Sequence, residues 1–230
     1  MVSCILATRN RRQFLAQALR CFQRQTHTDS ELIVVDDSDR PMRDLCEGRP
    51  RVRYIRLTRF TPLGTKLNLG IEAARGDVLC KLDDDDYYGP AYLATSVRHL
   101  PKRDLHRTIV TRCCFLILMR RDPQVRHSGH GWQPGGAFCF HRAFWQRHPF
   151  RDLPRSVDSW LLRDAKPRII RVCNVEQYVL VRHGRNTWNA MTTGQTADEF
   201  LAGRRPFVKP LHQIMTATDL RFYRSALRWS

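Results

Sequence analysis

Long apolar runs are absent from this 230-residue sequence, although 42% of its residues are hydrophobic. The longest apolar stretch, residues 113–119, has the length of a strand, whereas a membrane-spanning helix needs about 20 residues. The first residues also lack the charged region and extended apolar run of a signal peptide. We therefore expect a globular cytoplasmic protein that can bury a core of its own, as one large domain or two small ones.

Lysine is scarce: only five of the 39 basic residues are lysine, so the other 34 are arginine. The formal net charge of +17 predicts attraction to polyanions, whether nucleic acid, anionic lipid head groups or a phosphorylated substrate. A nucleic-acid-binding protein usually concentrates its basic residues in one patch or arm. Here the arginines are spread from Arg9 to Arg228, so the charge alone does not identify the partner.

A repeating cysteine spacing is missing as well. Eight cysteines are scattered over the chain, several of them inside apolar segments. This pattern predicts reduced core residues rather than a disulfide framework. A zinc site made by Cys113, Cys114, His127 and His130 is the alternative, but adjacent cysteines do not have the spacing of a zinc knuckle.

The first hundred residues do contain an alternation of strand and helix patterns. Residues 2–7, 31–37, 52–57 and 78–82 predict buried strands, and apolar residues at helical spacing predict a helix capped by Asn10 and another over residues 64–75. This order is typical of an α/β fold with a mostly parallel sheet, in which ligands bind beyond the carboxyl ends of the strands. Thr8, Asp36 and Asp37 would lie at that edge, although the two aspartates also fit an ordinary turn.

Four consecutive aspartates, residues 83–86, follow the fourth predicted strand. Carboxylates this close raise one another's pKa, so they stay ionised only beside a cation or strong hydrogen-bond donors. Mg²⁺ or Mn²⁺ fits such oxygen ligands and keeps coordination positions for water and phosphate. A solvated acidic turn is the alternative. An EF-hand is excluded because Tyr87, Tyr88 and Ala94 stand where that loop needs an oxygen ligand, glycine and glutamate.

A resemblance to a known family is carried by four ordered segments, VSCILATRNRRQFLAQALRCFQRQ, ELIVVDDSD, GTKLNLGIEAARGD and KLDDDDYYGP. Together they cover residues 2–90 and resemble the amino-terminal half of inverting family-2 glycosyltransferases with the GT-A fold. The resemblance implies a mostly parallel nucleotide-binding sheet flanked by helices, with a mixed second half that forms the acceptor side. It also implies a nucleoside-diphosphate sugar donor and a divalent metal, Mn²⁺ or Mg²⁺, at a DxD-type motif.

The resemblance further implies roles for the matching residues. Asp85 corresponds to the metal ligand and Asp84 to the residue facing the ribose, but a motif of Asp83 with Asp85 fits equally well because four aspartates run together. The positions that correspond to donor binding are Thr8, Asn10, Asp36, Asp37, Lys66, Asn68, Asp83 and Asp84.

Residues 101–192 should then supply the acceptor site and the catalytic base. Residues 108–119 predict one long strand, residues 120–132 a loop, and residues 168–173 and 176–181 a strand pair. Residues 135–140 resemble the glycine-led strand that the family places beside the acceptor. Trp132, next to these glycines, fits either a platform for a sugar ring or a partly buried structural residue.

Asp158 stands in the first turn of a predicted helix, where the helix dipole keeps a carboxylate ionised, as a general base requires. Its spacing alone is more typical of a capping aspartate. The resemblance favours the base, because the family has an acidic residue opening a helix downstream of the metal motif, often as Glu-Asp where this chain has Val157. Asp158 is preferred over Asp152 and Asp164.

His183 follows a predicted strand and precedes a glycine, and this segment resembles the family's histidine loop near the diphosphate. It is a candidate metal ligand or phosphate contact, with Arg182 and Arg185 as alternatives for neutralising the diphosphate. Residues 193–230 predict a helical tail that packs on the core, pairs with another subunit or contacts an anionic membrane at the inner membrane face. We expect residues 1–100, 101–192 and 193–230 to form one continuous domain.

The expected reaction is a single displacement in which Asp158 deprotonates an acceptor hydroxyl of a carbohydrate, a lipid-linked sugar or a small molecule. Two alternatives belong to other classes. A metal-dependent sugar nucleotidyltransferase would share the nucleotide and the metal, but the loop after the first strand contains no glycine to hold a triphosphate. A basic nucleic-acid-binding protein would explain the charge but gives the four aspartates no role.

Overall fold

A computed structural model describes residues 1–120, 122–184, 186, 199 and 204–228. Its centre is a seven-stranded sheet in the order β10-β6-β9-β4-β1-β2-β3. The strands of this sheet are β1 (Val2–Thr8), β2 (Ser30–Asp36), β3 (Val52–Arg56), β4 (Val78–Asp83), β6 (Thr108–Cys114), β9 (Cys139–His141) and β10 (Arg168–Cys173). Neighbouring strands run parallel except β9, which is antiparallel to both β4 and β6. The predicted mostly parallel α/β sheet is therefore confirmed.

A second sheet has four strands in the order β5-β11-β7-β8. These strands are β5 (Tyr87–Tyr88), β7 (Leu116–Met119), β8 (Asp122–His127) and β11 (Tyr178–Arg182), and the described helices are α1 (Arg12–Gln23), α2 (Leu63–Glu72), α3 (Tyr92–Arg98), α4 (Arg142–Arg147), α5 (Val157–Ala165) and α6 (Ala217–Arg228). Among these helices, none combines the length and apolar character that crossing a bilayer requires.

The central sheet is apolar on both faces, as a parallel sheet covered by helices must be. Along β1, Cys4 and Leu6 belong to the cluster that also contains α1 and the second sheet, whereas Ile5 points into a separate cluster with α2, α4 and α5. Successive side chains of a strand point to opposite faces, so one continuous apolar run contributes to both clusters. The carboxyl ends of the parallel strands remain open at one edge.

Two of the predicted segments beyond residue 100 are wrong. Residues 108–119 form two strands in different sheets, because the chain leaves β6 at Phe115, where Ser128 Oγ accepts a hydrogen bond from the Phe115 amide (3.0 Å). The segment after them, predicted as a loop, contains β8, which pairs with β7 as an edge strand. An edge strand tolerates the proline and polar residues that made this segment resemble a loop.

The two strands predicted after residue 167 are present as β10 and β11, but they do not pair with each other, because β10 lies in the central sheet and β11 in the second sheet. Residues 135–140 are only partly extended: a 3₁₀ turn over Gly135–Ala137 precedes β9. Asn10 is not the cap of α1. It adopts a positive φ of 53°, exchanges side-chain and backbone hydrogen bonds with Asp39, and leaves Arg11 at the N-cap.

The cysteines also differ from the expectation in one respect. Cys113 and Cys173 are joined as a disulfide, whereas the other six cysteines are free and buried. The sequence could not indicate this pairing, because the two residues are 60 positions apart and meet only through the parallel pairing of β6 with β10.

The described part of the carboxyl-terminal tail packs on the core. Leu220 and Tyr223 of α6 are buried, and the Tyr223 hydroxyl donates a hydrogen bond to the backbone oxygen of Asp86 (2.8 Å). The predicted helix around Phe200 and Leu201 lies outside the described residues.

Candidate active site

A pocket of about 240 Å³ opens at the carboxyl ends of β1 and β4. The carboxyl ends of parallel strands lie at the same edge of a sheet, so the residues that follow different strands come together at that edge. The polar residues that line the pocket include all four aspartates together with Arg11, Lys81, Asp158, Arg182 and Asn186.

Lys81 joins the aspartate cluster to the candidate base. Its buried Nζ donates hydrogen bonds to Asp83 Oδ1 (2.7 Å) and to the backbone oxygen of Gly135 (3.2 Å), and it lies 3.4 Å from Asp158 Oδ2. Burial opposes the ammonium charge, but Asp158 and then Asp83 raise the pKa of Lys81 above its ordinary value. A lysine that stays charged here pairs with both carboxylates at once.

Asp84 is buried between the first strand and the first helix. Thr8 Oγ1 donates to Asp84 Oδ2 (2.7 Å), and Arg11 Nη1 donates to Asp84 Oδ1 (2.8 Å). Burial raises the pKa of Asp84, while Arg11 acts in the opposite direction. The Thr8 contact therefore links two of the residues that the sequence assigned to donor binding.

Asp85 and His183 are brought together, as expected of two ligands of one metal. His183 Nε2 lies 3.1 Å from Asp85 Oδ2, and the same oxygen accepts hydrogen bonds from Arg11 Nη1 (2.9 Å) and Asn186 Nδ2 (3.0 Å). Burial opposes ionisation, but the contacts with His183 and Arg11 outweigh it and lower the pKa of Asp85. Asp85 is thus held as a carboxylate.

Asp86 has a different environment from its three neighbours. The Tyr178 hydroxyl donates to Asp86 Oδ2 (2.5 Å), and the Val181 amide donates to Oδ1 (2.9 Å). Burial, followed by the charges of Asp85 and Asp83, raises the pKa of Asp86 well above the ordinary value. Both oxygens are used within the protein, so Asp86 fastens the aspartate segment to β11.

Asp158 lies in the first turn of α5 and faces the pocket. A quarter of its side chain is exposed, while Oδ1 is buried and has no hydrogen-bond partner among the described residues. Burial raises the pKa of Asp158, and Lys81 counteracts this. Asp152 and Asp164, the two alternatives, instead contact Thr65 and Arg151 and do not line this pocket.

A glycine pair allows this close approach. A Cβ atom at Gly135 would lie 2.1 Å from Asp158 Oδ2, and one at Gly136 would lie 2.6 Å from Asp83 Oδ2. No other residue type leaves room for both carboxylates, which explains why the turn before β9 begins with two glycines.

Asp37 and Lys66 form a buried ion pair of 2.7 Å behind the first strand. Lys66 Nζ also donates to the backbone oxygen of Thr8 (3.3 Å), so this pair supports the loop that holds Asp84. Asp36 is fully buried and accepts hydrogen bonds from the Ser38 amide and the Tyr54 hydroxyl. These contacts hold the turn after β2 in place at the edge of the sheet.

Two other residues assigned to donor binding lie apart from the aspartates. Asn10 lines a second pocket beside α1 and contacts Asp39. Asn68 binds Phe150 and Trp145 through its side-chain amide, so in the described part of the chain it connects α2 to the segment before α5. The predicted donor contacts of both residues stay predictions.

Trp132 and Arg182 are both in the wall of the pocket. The Trp132 ring packs against Phe115 at 5.0 Å and lies under the guanidinium of Arg204. These contacts agree with the partly buried structural role, and the contact with a sugar ring stays a prediction. Arg185, the other predicted diphosphate contact, lies outside the described residues.

Asp85 and His183 are a candidate ligand pair for a hard divalent cation. Asp83 and Asp85 offer carboxylate oxygens at the pocket wall, and His183 adds an imidazole nitrogen beside Asp85. Mg²⁺ and Mn²⁺ are commonly held by one or two carboxylates, with phosphates and water completing the shell. Arg11 already neutralises part of the charge of Asp84 and Asp85, so a cation here would act together with a guanidinium.

Sequence reasoning missed Arg11 and Lys81, although a signal exists for Lys81. A lysine inside an otherwise apolar strand, two positions before an aspartate, faces the same side as that aspartate. For Arg11 the sequence offers no comparable signal, because 34 arginines make any single one inconspicuous.

Comparison with known proteins agrees with this geometry. The model of the family "Glycosyl transferase family 2" matches residues 3–155, and the chain belongs to this family. Membership favours sugar transfer over the nucleotidyltransferase and nucleic-acid-binding alternatives.

Two curated relatives have similar sequences. The uncharacterized glycosyltransferase YwdF of Bacillus subtilis is 27% identical over 45% of this chain and 39% of its own length. The putative colanic acid biosynthesis glycosyl transferase WcaA of Escherichia coli is 28% identical over 43% of this chain and 37% of its own length. The matched region spans about two-fifths of either relative.

Solved structures share the fold at low sequence identity. S. aureus TarS 1-349 in complex with UDP-GlcNAc superimposes with a TM-score of 0.62 and 18% identity, over 97% of this chain and 72% of that one. The mannosyltransferase PcManGT from Pyrobaculum calidifontis, in complex with GDP-Man and Mn²⁺, gives 0.63 and 19% over 98% and 73%. The GT-A fold expected from the resemblance is therefore confirmed.

Proposed function

We propose that this glycosyltransferase moves a sugar from a nucleoside-diphosphate sugar to an acceptor hydroxyl by one displacement that inverts the anomeric carbon. The observation that carries the proposal is that the aspartate cluster and Asp158 line one pocket and share the cation Lys81. A donor-side cluster and a separate carboxylate that lines the same pocket provide the two parts that a single displacement needs.

On the donor side, the proposal gives Thr8, Asp84 and Arg11 the task of positioning the nucleotide. A guanidinium that contacts two carboxylates is held in one orientation, so it can face a diphosphate without a large loss of rotamer freedom. Asp85 and His183 would hold Mg²⁺ or Mn²⁺, with Asp83 as the alternative ligand. When bound, the ion stabilises the negative charge on the leaving diphosphate. The nucleotide-bound neighbours support a donor of this class.

On the acceptor side, Asp158 takes the proton from the attacking hydroxyl. Its side chain lines the pocket and is one quarter exposed, while Lys81, 3.4 Å from Oδ2, fixes the orientation of the carboxylate. Trp132 borders the same space and would contact a sugar there.

The test is donor hydrolysis, in which water replaces the unidentified acceptor. We expect Asp158→Asn to lower the release of sugar from UDP-GlcNAc or GDP-Man by about 10²–10⁴-fold, because amide nitrogen and oxygen cannot take the proton. The donor-induced rise in melting temperature should stay, since Asp158 does not contact the Arg11 side of the pocket. Asp164→Asn is the matched control, because that carboxylate is exposed and paired with Arg151.

The configuration of the released sugar provides a second readout. From an α-linked donor, nuclear magnetic resonance should detect the β anomer first, because attack occurs opposite the leaving group. Full hydrolysis by Asp158→Asn would remove Asp158 from its role, and early release of the α anomer would refute inversion.

A further inference from the structure

A second group of candidate ligands lies at the junction of β6, β10 and the loop after β8. The ligand atoms of Cys113, Cys114, His130 and Cys173 all lie within 4.8 Å of one another. The sequence offered three of these residues, with His127 as the fourth. In the structure the fourth residue is Cys173 instead of His127, because the parallel pairing of β10 with β6 brings Cys173 next to Cys113 and Cys114.

The strand register explains how two adjacent cysteines can contribute together. Neighbouring side chains normally point to opposite faces of a strand. Here Val172 pairs with Arg112 and Cys173 pairs with Cys114, so β6 has one extra residue at this point. The irregularity lets the Sγ atoms of Cys113 and Cys114 lie 3.9 Å apart.

His130 reaches the cysteines on a loop with a defined shape. Gly129 and Gly131 on either side of it have φ angles of 76° and 97°, a region that favours glycine. Ser128 anchors the start of the loop, because its amide donates to the backbone oxygen of Phe115 (2.9 Å) and its hydroxyl accepts from the Phe115 amide. The imidazole is therefore held close to the end of β6 by backbone contacts.

We propose that, in its reduced form, the chain binds one Zn²⁺ through Cys113, Cys114, Cys173 and His130. Three thiolates and one imidazole form a closed tetrahedral set of the kind found in structural zinc sites. Zn–S bonds of about 2.3 Å place two sulfur atoms about 3.8 Å apart on a tetrahedron, which matches the separation of Cys113 and Cys114. This site is separate from the aspartate cluster and does not depend on the proposed function.

Cys113 and Cys173 are joined to each other in the oxidised chain and would both be zinc ligands in the reduced chain. A thiol reductant supplies two electrons and two protons to the bond between Cys113 and Cys173, which yields two thiols. Zinc then displaces the protons of three thiols and accepts the electron pair of a neutral imidazole nitrogen, with release of three protons to solvent.

The position of the site indicates what the metal does. Trp132 follows His130 by two residues, packs on Phe115 and borders the pocket. A metal bound to His130 and to the ends of β6 and β10 would tie this part of the pocket wall to the central sheet. It would stabilise the fold, because the ligands are far apart in the unfolded chain.

The experiment is a metal analysis of the full chain purified with reductant and without chelator. We expect about one zinc per chain by mass spectrometry of the metal. Cys114→Ser and His130→Ala should each lower the zinc affinity by at least about tenfold. Cys46→Ser and His212→Ala are matched controls, because both residues lie outside the cluster, and they should keep the zinc.

A measurement on the unchanged chain guards against variants that fail to fold. Titration with Co²⁺ should produce the charge-transfer absorption of thiolate ligands, and zinc should protect the cluster thiols from alkylation. Background zinc with no Co²⁺–thiolate absorption in the reduced chain would overturn the proposal, as would full zinc retention by both cluster variants.

Discussion

Neighbouring residues of the aspartate run have distinct chemical environments. Asp84 and Asp85 share the guanidinium of Arg11, Asp83 contacts Lys81, and both oxygens of Asp86 are bonded inside the protein. A pKa depends on local burial and charge. The pKa values of Asp84 and Asp86 therefore lie above the ordinary value of an aspartate, and the pKa of Asp85 lies below it. One motif therefore contains residues with separate tasks.

At this scale we predict that Gly135→Ala inactivates the enzyme through Asp158. A methyl group would overlap Asp158 Oδ2, so the carboxylate must move away from Lys81. Displacement of a catalytic group by about 1 Å costs about 10²-fold in rate. Donor hydrolysis should fall by at least about that factor. The Tm should fall as well, because the methyl group would also lie 2.4 Å from Asp158 Cγ and 2.7 Å from Asp158 Cβ, so the first turn of α5 must shift.

Gly48→Ala is the control for a loss of stability without a change at the site. Its φ of 70° disfavours alanine, although open space surrounds the position. We expect a lower Tm and unchanged hydrolysis. Full hydrolysis by Gly135→Ala would contradict the placement of Asp158 as the base.

At the scale of whole elements, a buried aspartate fastens the last helix to the first. Asp219 in α6 accepts hydrogen bonds from Gln17 (2.7 Å) and Thr216 (2.7 Å), and it pairs with Arg24 at 2.6 Å. These contacts outweigh the effect of burial and lower the pKa of Asp219. The position of α6 matters for the site, because Tyr223 contacts the Asp86 backbone.

We predict that Asp219→Asn lowers the free energy of unfolding by about 1–3 kcal/mol at neutral pH, as expected for lost hydrogen bonds to a charged group. A pKa lowered in the folded state adds stability above the unfolded pKa and loses it as the pH falls through the folded pKa. The difference between wild type and variant should therefore begin to shrink below a pH of about 3.9 and close as the pH falls through the lower folded pKa of Asp219.

Denaturant unfolding at a series of pH values measures this difference. Asp44→Asn is the control, because Asp44 and its partner Arg12 are both exposed and such pairs contribute little. A gap that persists unchanged at acid pH would show that the Asp219 charge is not what holds α6.

At the scale of the whole molecule, a strongly basic chain has an acidic pocket. The formal net charge is +17, yet the pocket is lined by five aspartates, so a phosphorylated donor needs local cations in addition to the general attraction. Arg11, Arg182 and a divalent ion would supply them.

We predict that nucleoside diphosphates and their sugars raise the Tm only when Mn²⁺ or Mg²⁺ is added. At a ligand concentration near 100 times the Kd, the stabilisation is about 2.7 kcal/mol, which corresponds to about 5–10 °C for a chain of this size. Asp85→Asn should remove the metal-dependent part of the shift. Cys114→Ser should keep it, because the proposed zinc site is separate.

A shift of equal size without added divalent ion would indicate that Arg11 and its neighbours bind the diphosphate without a metal. A panel of uridine and guanosine nucleotides, measured in the same way, also identifies the base that the pocket prefers.

Local patterns in the sequence were enough to predict the element order of residues 2–90 and the helix that begins with Asp158 in its first turn. The strand-helix alternation over residues 2–90, the aspartates at the end of β4 and the acidic first turn of α5 are all short-range features. Apolar periodicity is set by burial on each element, so it can be read from neighbouring residues alone. Parallel pairing then places the strand ends at one edge, which brought Thr8, Asp84 and Asp85 together as expected.

Only the tertiary structure decided the features that depend on pairing between distant segments. The chain changes from one sheet to the other at Phe115, Cys113 pairs with Cys173, and Lys81 contacts Asp158. In each case the partners are distant in the sequence, and their spacing gives no sign that they will meet. The same holds for Arg11, whose role follows from the position of α1 over the aspartates. Propensity and spacing describe a segment by itself, whereas register, burial and charge pairing exist only after the segments have packed.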